Sequence, residues 1–192
     1  MTRNGQKDPS QEMIDEFVGV AHGDLERVKE LLAAYPALVQ ARASWNESAV
    51  EAAAQTGQVE IAKLLLAAGA QPDICTAAMM GHQDQVVSFL QADPSLISAT
   101  GAHGIPLLYF PAISGHPEIA ELLWTHGANV NAGEGGNTPL HGAVLFYQPA
   151  MVRWLLDQGA KNDPLDYNGR TPLQLAEENN QADIIEILHA RS

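Results

Sequence analysis

The stretch GHPEIAELLWTHGANVNA, residues 115–132, decides the fold because two other segments of the chain echo it. These are GQVEIAKLLLAAGA, residues 57–70, and YQPAMVRWLLDQGA, residues 147–160. In each segment apolar residues stand four, five, eight and nine positions after the first residue, which is the spacing of one helix face. The three segments therefore predict amphipathic helices that recur along the chain.

The first residue of each segment occupies a turn position, and this position recurs through the whole chain. It falls at Gly23, Gly57, Gly81, Gly115, Tyr147 and Asn180. The period is about 33 residues, apart from one step of about 24 between Gly57 and Gly81. We therefore expect about six repeats, of which the third is short.

A second, shorter helix is predicted before each turn. It is indicated by the segments AVEAAAQT (49–56), TPLHGAVLF (138–146) and TPLQLAEEN (171–179). In the last two, Thr can cap the helix start and Pro fits the first turn, where its missing N–H costs nothing. A Gly-Ala pair follows the second helix in several repeats, where a left-handed cap favours Gly. Each unit is therefore helix, tight turn, helix.

These units resemble ankyrin repeats, most specifically in TPLHGA (138–143), DYNGRTPLQLA (166–176) and residues 115–132. The resemblance implies an all-α fold, a curved ankyrin-repeat solenoid of antiparallel helix pairs with short hairpin fingers and capping terminal repeats. Stacking is also a physical necessity, because one such unit cannot bury its apolar face alone. The lone cysteine and the compact length indicate a bacterial-type member.

We expect a flexible N-terminus over residues 1–7 and a single repeat array over residues 8–192, with Asp8 capping the first helix. The expected repeats are approximately 8–42, 43–72, 73–100, 101–132, 133–163 and 164–192. The third repeat is expected to lack most of its finger. Pro111 lies within the first helix of the fourth repeat and predicts a kink or a shortened helix.

Composition excludes several classes of function. The chain has 10 Lys and Arg against 23 Asp and Glu, a net charge of −13, which disfavours nucleic acid and anionic membranes as partners. No apolar stretch of about 18 residues predicts a membrane span. Cys75 is the single cysteine and cannot form an internal disulfide. We expect a cytoplasmic protein that is a monomer.

Catalytic, metal and cofactor motifs are not found, so we predict no enzyme activity, no metal site and no cofactor. No histidine pair has the spacing of a helical zinc site. His82 and His116 follow turn glycines, where the resemblance implies hydrogen bonds between neighbouring loops, and His141 is expected to bond across the base of its finger. The glycines at 133, 135 and 136 predict a finger turn.

The resemblance implies that a protein or peptide partner contacts the finger tips and the exposed face of the first helices. The finger-tip candidates are Trp45, His103, Glu134 and Tyr167. The first-helix candidates are Met79, Met80, Ile113, Leu145 and Phe146. These five would form an exposed apolar strip, which is typical of an interface. The alternative is that the short third repeat and Pro111 fold the strip into the core, and that Trp45 and Tyr167 pack on neighbouring fingers.

Two other functions remain open at this point. One is a small-molecule or catalytic pocket at the irregular third and fourth repeats, lined by Met79, Tyr109 and Phe110. The other is a homo-oligomer that buries the strip against its copy. The primary prediction is a non-catalytic protein-interaction module.

Overall fold

The structure, a computed structural model, describes residues 8–133 and 135–190. Over these residues it contains twelve α-helices, and extended pairing is confined to isolated bridges such as Arg42 with Ser48 and Thr100 with Pro106. The predicted all-α fold is confirmed. The chain divides into two compact units, one ending at Thr76 and the next beginning at Ala77. The predicted flexible segment 1–7 lies outside the described residues.

The first unit holds two helix pairs, α1 with α2 and α3 with α4. Their bounds are α1 Gln11–Val20, α2 Leu25–Ala34, α3 Ala49–Gln55 and α4 Val59–Ala67. α1 packs on both α2 and α3, and α2 packs on α4, so the four helices form two layers. The prediction that Asp8 caps the first helix is wrong, because the Ser10 side chain accepts from the Met13 N–H and α1 begins only at Gln11.

The second unit, taken by itself, is also built of two layers of helices. After α5 (Ile74–Met79), which contains the boundary between the units, its helices are α6 Gln83–Ala92, α7 Tyr109–Ser114, α8 Pro117–Thr125, α9 Pro139–Leu145, α10 Pro149–Asp157, α11 Pro172–Glu178 and α12 Ala182–His189. The first helices α7, α9 and α11 pack side by side, and so do the second helices α8, α10 and α12. Tight turns make the two helices of each pair antiparallel neighbours.

Capping and turn residues account for these helix bounds. Complete capping boxes pair Ser48 with Glu51, Thr138 with His141 and Thr171 with Gln174. Each box satisfies N–H groups that the first helical turn leaves without an intrahelical acceptor. The predicted turn position is left-handed at Gly57, Gly81, Gly115, Tyr147 and Asn180, with φ between 53° and 72°. At these five positions the turns predicted from the repeat pattern therefore have the left-handed backbone conformation that ends the first helix.

The predicted face of the second helices forms part of the core. Its fully buried members there are Ile61, Ala62, Leu65, Ile119, Ala120, Leu123, Met151, Val152 and Leu155. At the ninth position the side chains are more exposed: Leu66 and Leu156 are half-buried, and Trp124 is 39% exposed. The buried stripe is therefore narrower than predicted.

Both predicted irregularities are present. Residues 71–73 lead straight into α5 without a finger, and the Asp73 carboxylate accepts from the Thr76 N–H at 2.7 Å to start that helix. α7 has six residues because Pro111 cannot donate to the preceding turn, and the approach to the helix is a tight turn with Tyr109 N–H bonded to the Pro106 carbonyl. Pro111 thus shortens the helix.

Candidate functional site

The predicted apolar strip is only partly exposed. Leu145 is 48% exposed, and Met80 and Phe146 are half-buried. Met79 is fully buried and Ile113 is 2% exposed. The prediction that these five side chains share an exposed strip is therefore wrong for Met79 and Ile113, although both belong to first helices as expected.

Met79 and Ile113 are buried for different physical reasons. Every residue of the six-residue α5 is buried, so that helix has no exposed face on which Met79 could stand. Ile113 lies where α7 approaches α9 at Gly142: a Cβ added to that glycine would lie 2.9 Å from the Ile113 Cγ2 and 2.6 Å from the Tyr109 ring. The missing side chain lets the two helices close over Ile113.

In the first unit, the finger-tip candidate Trp45 is exposed but anchored. Its side chain is 47% exposed, and its indole Nε1 donates to the Glu47 Oε2 at 2.7 Å. Asn46 between them is left-handed, with φ 65°, which closes the finger turn. Glu47 is buried at the base of this turn. The tip therefore presents a large aromatic face in a fixed orientation.

In the second unit, the structure brings two finger-tip candidates together. Tyr167 is 63% exposed, and its hydroxyl donates to the His103 carbonyl oxygen at 3.5 Å, the long end of the hydrogen-bond range. Its ring lies over Gly136, where an added Cβ would stand 2.7 Å from the Tyr167 Cζ. Three consecutive fingers are thus in contact through one aromatic side chain. Glu134 lies outside the described residues.

Two cavities open near Leu145, which lines both. The smaller, about 120 Å³, also includes Tyr109, His141, Tyr167 and Leu175 in its wall. The larger is an open groove of about 710 Å³ whose wall includes Tyr147, Asn180, Gln181 and Asp183. Of these, Leu145 and Tyr167 were predicted as partner contacts.

Apart from Leu145, sequence reasoning missed the residues of the larger groove that are named above. The sequence pattern assigns Tyr147 and Asn180 only to turns, and Gln181 and Asp183 carry no motif. The available signal was that a turn residue other than glycine projects a side chain. Tyr147 does so, and its hydroxyl donates to the Asp183 carboxylate at 3.1 Å.

The polar wall of the smaller cavity is internally paired. Arg170 donates to the Asp166 Oδ2 at 2.7 Å and to the Glu178 Oε2 at 2.9 Å. Burial alone raises the pKa of the Asp166 carboxyl, but hydrogen bonds from Arg170 and Asn168 together outweigh it and hold the pKa below its ordinary value. Asp166 is therefore a structural carboxylate that fixes the last finger.

His141 is held as predicted, across the base of its finger. Its Nδ1 contacts the Thr138 hydroxyl at 2.9 Å and its Nε2 contacts the Arg170 carbonyl oxygen at 3.1 Å. Burial lowers the pKa of His141 below 6.5, against the opposing effect of that carbonyl, so the ring is neutral at pH 7. With both nitrogens engaged, the side chain has a structural role.

Glutamine, rather than the predicted histidine, connects neighbouring repeats at the turns. Gln148 Nε2 donates to the Ile113 carbonyl at 3.2 Å, and Gln181 Nε2 donates to the Val144 carbonyl at 2.9 Å. His116 instead contacts Glu118 on its own helix at 3.2 Å. The expectation of hydrogen bonds between loops from His82 and His116 is wrong within the residues that the structure describes.

The pocket predicted around Met79, Tyr109 and Phe110 is filled by these side chains themselves. All three are buried, and the two aromatic rings pack edge to face with centroids 6.0 Å apart. Burial, with Asp73 and Glu51 nearby, raises the pKa of the Cys75 thiol, which disfavours a nucleophilic thiolate. Among the described residues there is no group of three or more His, Cys, Asp and Glu side chains suited to a metal.

Over the described ranges, the structure contains no helix that combines the length and the apolar character needed to cross a membrane.

Comparisons with known proteins converge on one family. A model described as ankyrin repeats in three copies matches residues 74–164 and 136–191, and a single ankyrin-repeat model matches residues 46–77. The chain is 34% identical over 132 residues to cyclin-dependent kinase 4 inhibitor B of Rattus norvegicus. The aligned region covers 66% of this chain and 97% of that protein.

Two further relatives show the range of proteins that carry similar repeats. SH3 and multiple ankyrin repeat domains protein 2 of Homo sapiens is 28% identical over 145 residues, 70% of this chain and 8% of that protein. Protein phosphatase 1 regulatory subunit 27 of Mus musculus is 29% identical over 113 residues, 58% of this chain and 73% of that protein.

Proposed function

The chain belongs to the ankyrin-repeat family, and from that premise we propose that this protein-interaction module holds its partner at the finger tips and exposed first-helix residues of its C-terminal repeats. The names of its relatives denote a kinase inhibitor and a phosphatase regulatory subunit, which supports a protein partner. Each helix pair forms one repeat, six in all. A bacterial origin stays a prediction, since the relatives above come from rat, human and mouse.

Exposed large apolar side chains carry this proposal. In the second unit Leu145, Tyr147 and Tyr167 are all about half exposed or more, and each lines a cavity. Aromatic and aliphatic side chains at a cavity rim are well suited to bind a partner, because they bury a large area for little loss of side-chain entropy. In the second unit His103 and Glu134 complete the proposed finger-tip set, and in the first unit Trp45 is a separate candidate contact.

Only part of the predicted apolar strip is retained as a candidate contact surface. Leu145, Phe146 and Met80 remain candidate contacts, whereas Met79 and Ile113 act by supporting the core. The protein acts without catalysis or a cofactor, as a cytoplasmic monomer. Its net charge of −13 supports a protein partner over nucleic acid or an anionic membrane.

Capture from host lysate tests the proposal. Wild type and a Leu145→Ser/Tyr167→Ser double variant are immobilised at equal density, and captured proteins are identified by mass. A Trp124→Ser variant is the control, since Trp124 is also exposed but lies on a second helix. We expect one partner retained by wild type and control and lost by the double variant, with equal helicity in all three. Equal capture by all three would contradict the proposed face.

A further inference from the structure

Two buried polar side chains, Tyr109 and Gln181, line cavities beside Leu145. Tyr109 is 3% exposed, and burial is the single cause that raises its pKa, to about 12. Gln181 is 8% exposed, and its Oε1 has no partner although its Nε2 donates to the Val144 carbonyl. Buried polar groups in native proteins normally find a partner, which can be a ligand.

These two groups lie in the walls of the two neighbouring cavities. Tyr109 lines the smaller cavity and Gln181 the larger groove, and Leu145 lines both. The Tyr109 phenol stays protonated at pH 7 and is available as a donor, whereas the Gln181 Oε1 is an acceptor. A ligand that fills both cavities therefore needs an acceptor at one end and a donor at the other, with apolar surface between them.

The size of the smaller cavity limits what can enter it. At about 120 Å³ it is well below the roughly 300 Å³ at which pockets for drug-sized molecules begin. The polar groups Asp166, Arg170 and His141 in its wall already satisfy one another or the backbone. This volume suits one aliphatic side chain, whose backbone carbonyl would then lie beside the Tyr109 phenol.

The charge around the larger groove favours a cation. Asp183 lies in its wall, and Glu177 and Glu178 are exposed on the neighbouring α11. Arg170, a basic residue in the wall of the smaller cavity, has its guanidinium already bound to Asp166 and Glu178. An acidic surface of this kind attracts and orients a basic partner.

We infer that the two cavities form one site for a basic peptide segment of the partner protein. An aliphatic side chain enters the smaller cavity against Leu145, and its carbonyl oxygen accepts from the Tyr109 hydroxyl. A neighbouring Lys or Arg side chain lies in the larger groove, where its N–H groups donate to the Gln181 Oε1 and the Asp183 carboxylate. This inference rests on the proposed function and specifies the chemistry of its partner.

Random peptides displayed on phage are the probe. They are selected on the full wild-type chain, and the most enriched sequence is synthesised with a fluorophore for anisotropy measurements. We expect enriched sequences in which an aliphatic residue adjoins Lys or Arg, and binding that weakens as salt rises. Enrichment of acidic or uncharged sequences would overturn the inference.

Matched variants locate the peptide on the protein. Asp183→Asn should weaken the peptide about tenfold at low salt, whereas Glu186→Gln, an equal charge change on the same helix, should leave it unchanged. Leu145→Ser should also weaken it, and Leu165→Ser should not, although the two leucines are 48% and 50% exposed. Equal effects within either pair would count against the site.

Tyr109→Phe separates a binding role from a structural one. Because Tyr109 lines a cavity and the described residues show no protein acceptor for its hydroxyl, the variant should be about as stable as wild type in urea. Loss of the hydrogen bond to the peptide should nevertheless weaken binding about fivefold. Unchanged affinity would show that the phenol meets only water and would overturn its assigned role.

The outcomes distinguish this inference from the broader function. Loss of the lysate partner in the Leu145→Ser/Tyr167→Ser variant, together with no effect of Asp183→Asn on any selected peptide, would overturn the basic-peptide site and preserve the interaction module. Failure of both experiments would overturn both.

Discussion

Ile113 and Leu145 occupy the same place in consecutive repeats, yet one is buried and the other is exposed. Each lies two positions before the left-handed residue that ends its first helix, Gly115 and Tyr147 respectively. Ile113 is 2% exposed and Leu145 is 48% exposed. Repeat position alone therefore does not decide whether an apolar side chain belongs to the core or to a binding surface.

The deciding residue belongs to the next repeat along the chain. α7 faces Gly142 on α9, whose missing side chain leaves a recess for Ile113. The corresponding residue on α11 is Leu175, which is itself buried and lines the smaller cavity with Leu145. We attribute the exposure of Leu145 to this difference, since Leu175 carries a side chain where Gly142 has none. A single residue in one repeat thus sets the exposure of a residue in its neighbour.

Truncating the two side chains should give the largest difference. Ile113→Ala is expected to lower the free energy of unfolding by about 3 kcal/mol, from lost burial and the cavity left behind. Leu145→Ala should cost less than about 1 kcal/mol, since half of its side chain already meets water. Urea denaturation followed by circular dichroism measures both.

An equal loss of stability in these two variants would contradict the proposed difference between Ile113 and Leu145. It would mean that Leu145 packs as tightly as Ile113, and the assignment of Leu145 to a partner surface would then have to be withdrawn. The same urea denaturation curves also give the slope of the free energy of unfolding against urea concentration. A change in the surface area exposed on unfolding is therefore detected separately from a change in stability.

Filling the recess should have a smaller but distinct effect. The Cβ of Gly142→Ala would meet the Tyr109 ring at 2.6 Å and Ile113 at 2.9 Å, so we expect a net loss of about 1–2 kcal/mol in the free energy of unfolding despite the better helix propensity of Ala. Gly19→Ala is the matched control, because Gly19 also lies in a helix and has nothing within 4 Å. The control should be neutral or slightly stabilising. If both variants gain stability, α7 and α9 are not as close as described.

The sequence allowed the repeating backbone to be predicted well. Period, caps and turn residues are local properties, and they placed α9 and α11 within a residue of their observed bounds and marked Tyr147 and Asn180 as turns. The shortened α7 was also predictable, because the missing N–H of Pro111 acts within its own helix.

Burial and pairing between repeats could not be predicted in the same way. Whether Ile113 is buried depends on Gly142, about one repeat away along the chain, and the sequence pattern contains no signal that joins these two residues. The same holds for Gln181, whose bond to the Val144 carbonyl leaves its Oε1 unsatisfied. The exposure of Tyr167 was predictable from its place at a finger tip, whereas the exposure of Leu145 and the cavities beside it depend on side-chain volumes in neighbouring repeats.

The smallest expected effect compares the capping boxes of the same two repeats at different pH values. The third helical residue is His141 in α9 and Gln174 in α11, and both close their boxes. Because burial lowers the pKa of His141 below 6.5, the folded chain binds fewer protons at this site than the unfolded chain. The stability that neutral His141 provides is therefore complete above the unfolded pKa and declines as the pH falls toward the folded value.

His141→Gln copies the capping box of the next repeat and has no proton to gain, so its urea midpoint should fall less than that of wild type between about pH 7.5 and about pH 5.5. The exposed His189→Gln should keep the wild-type pH dependence. A His141→Gln variant that follows the wild-type curve would show that the buried imidazole is not a source of this pH dependence, and that the two boxes differ in sequence alone.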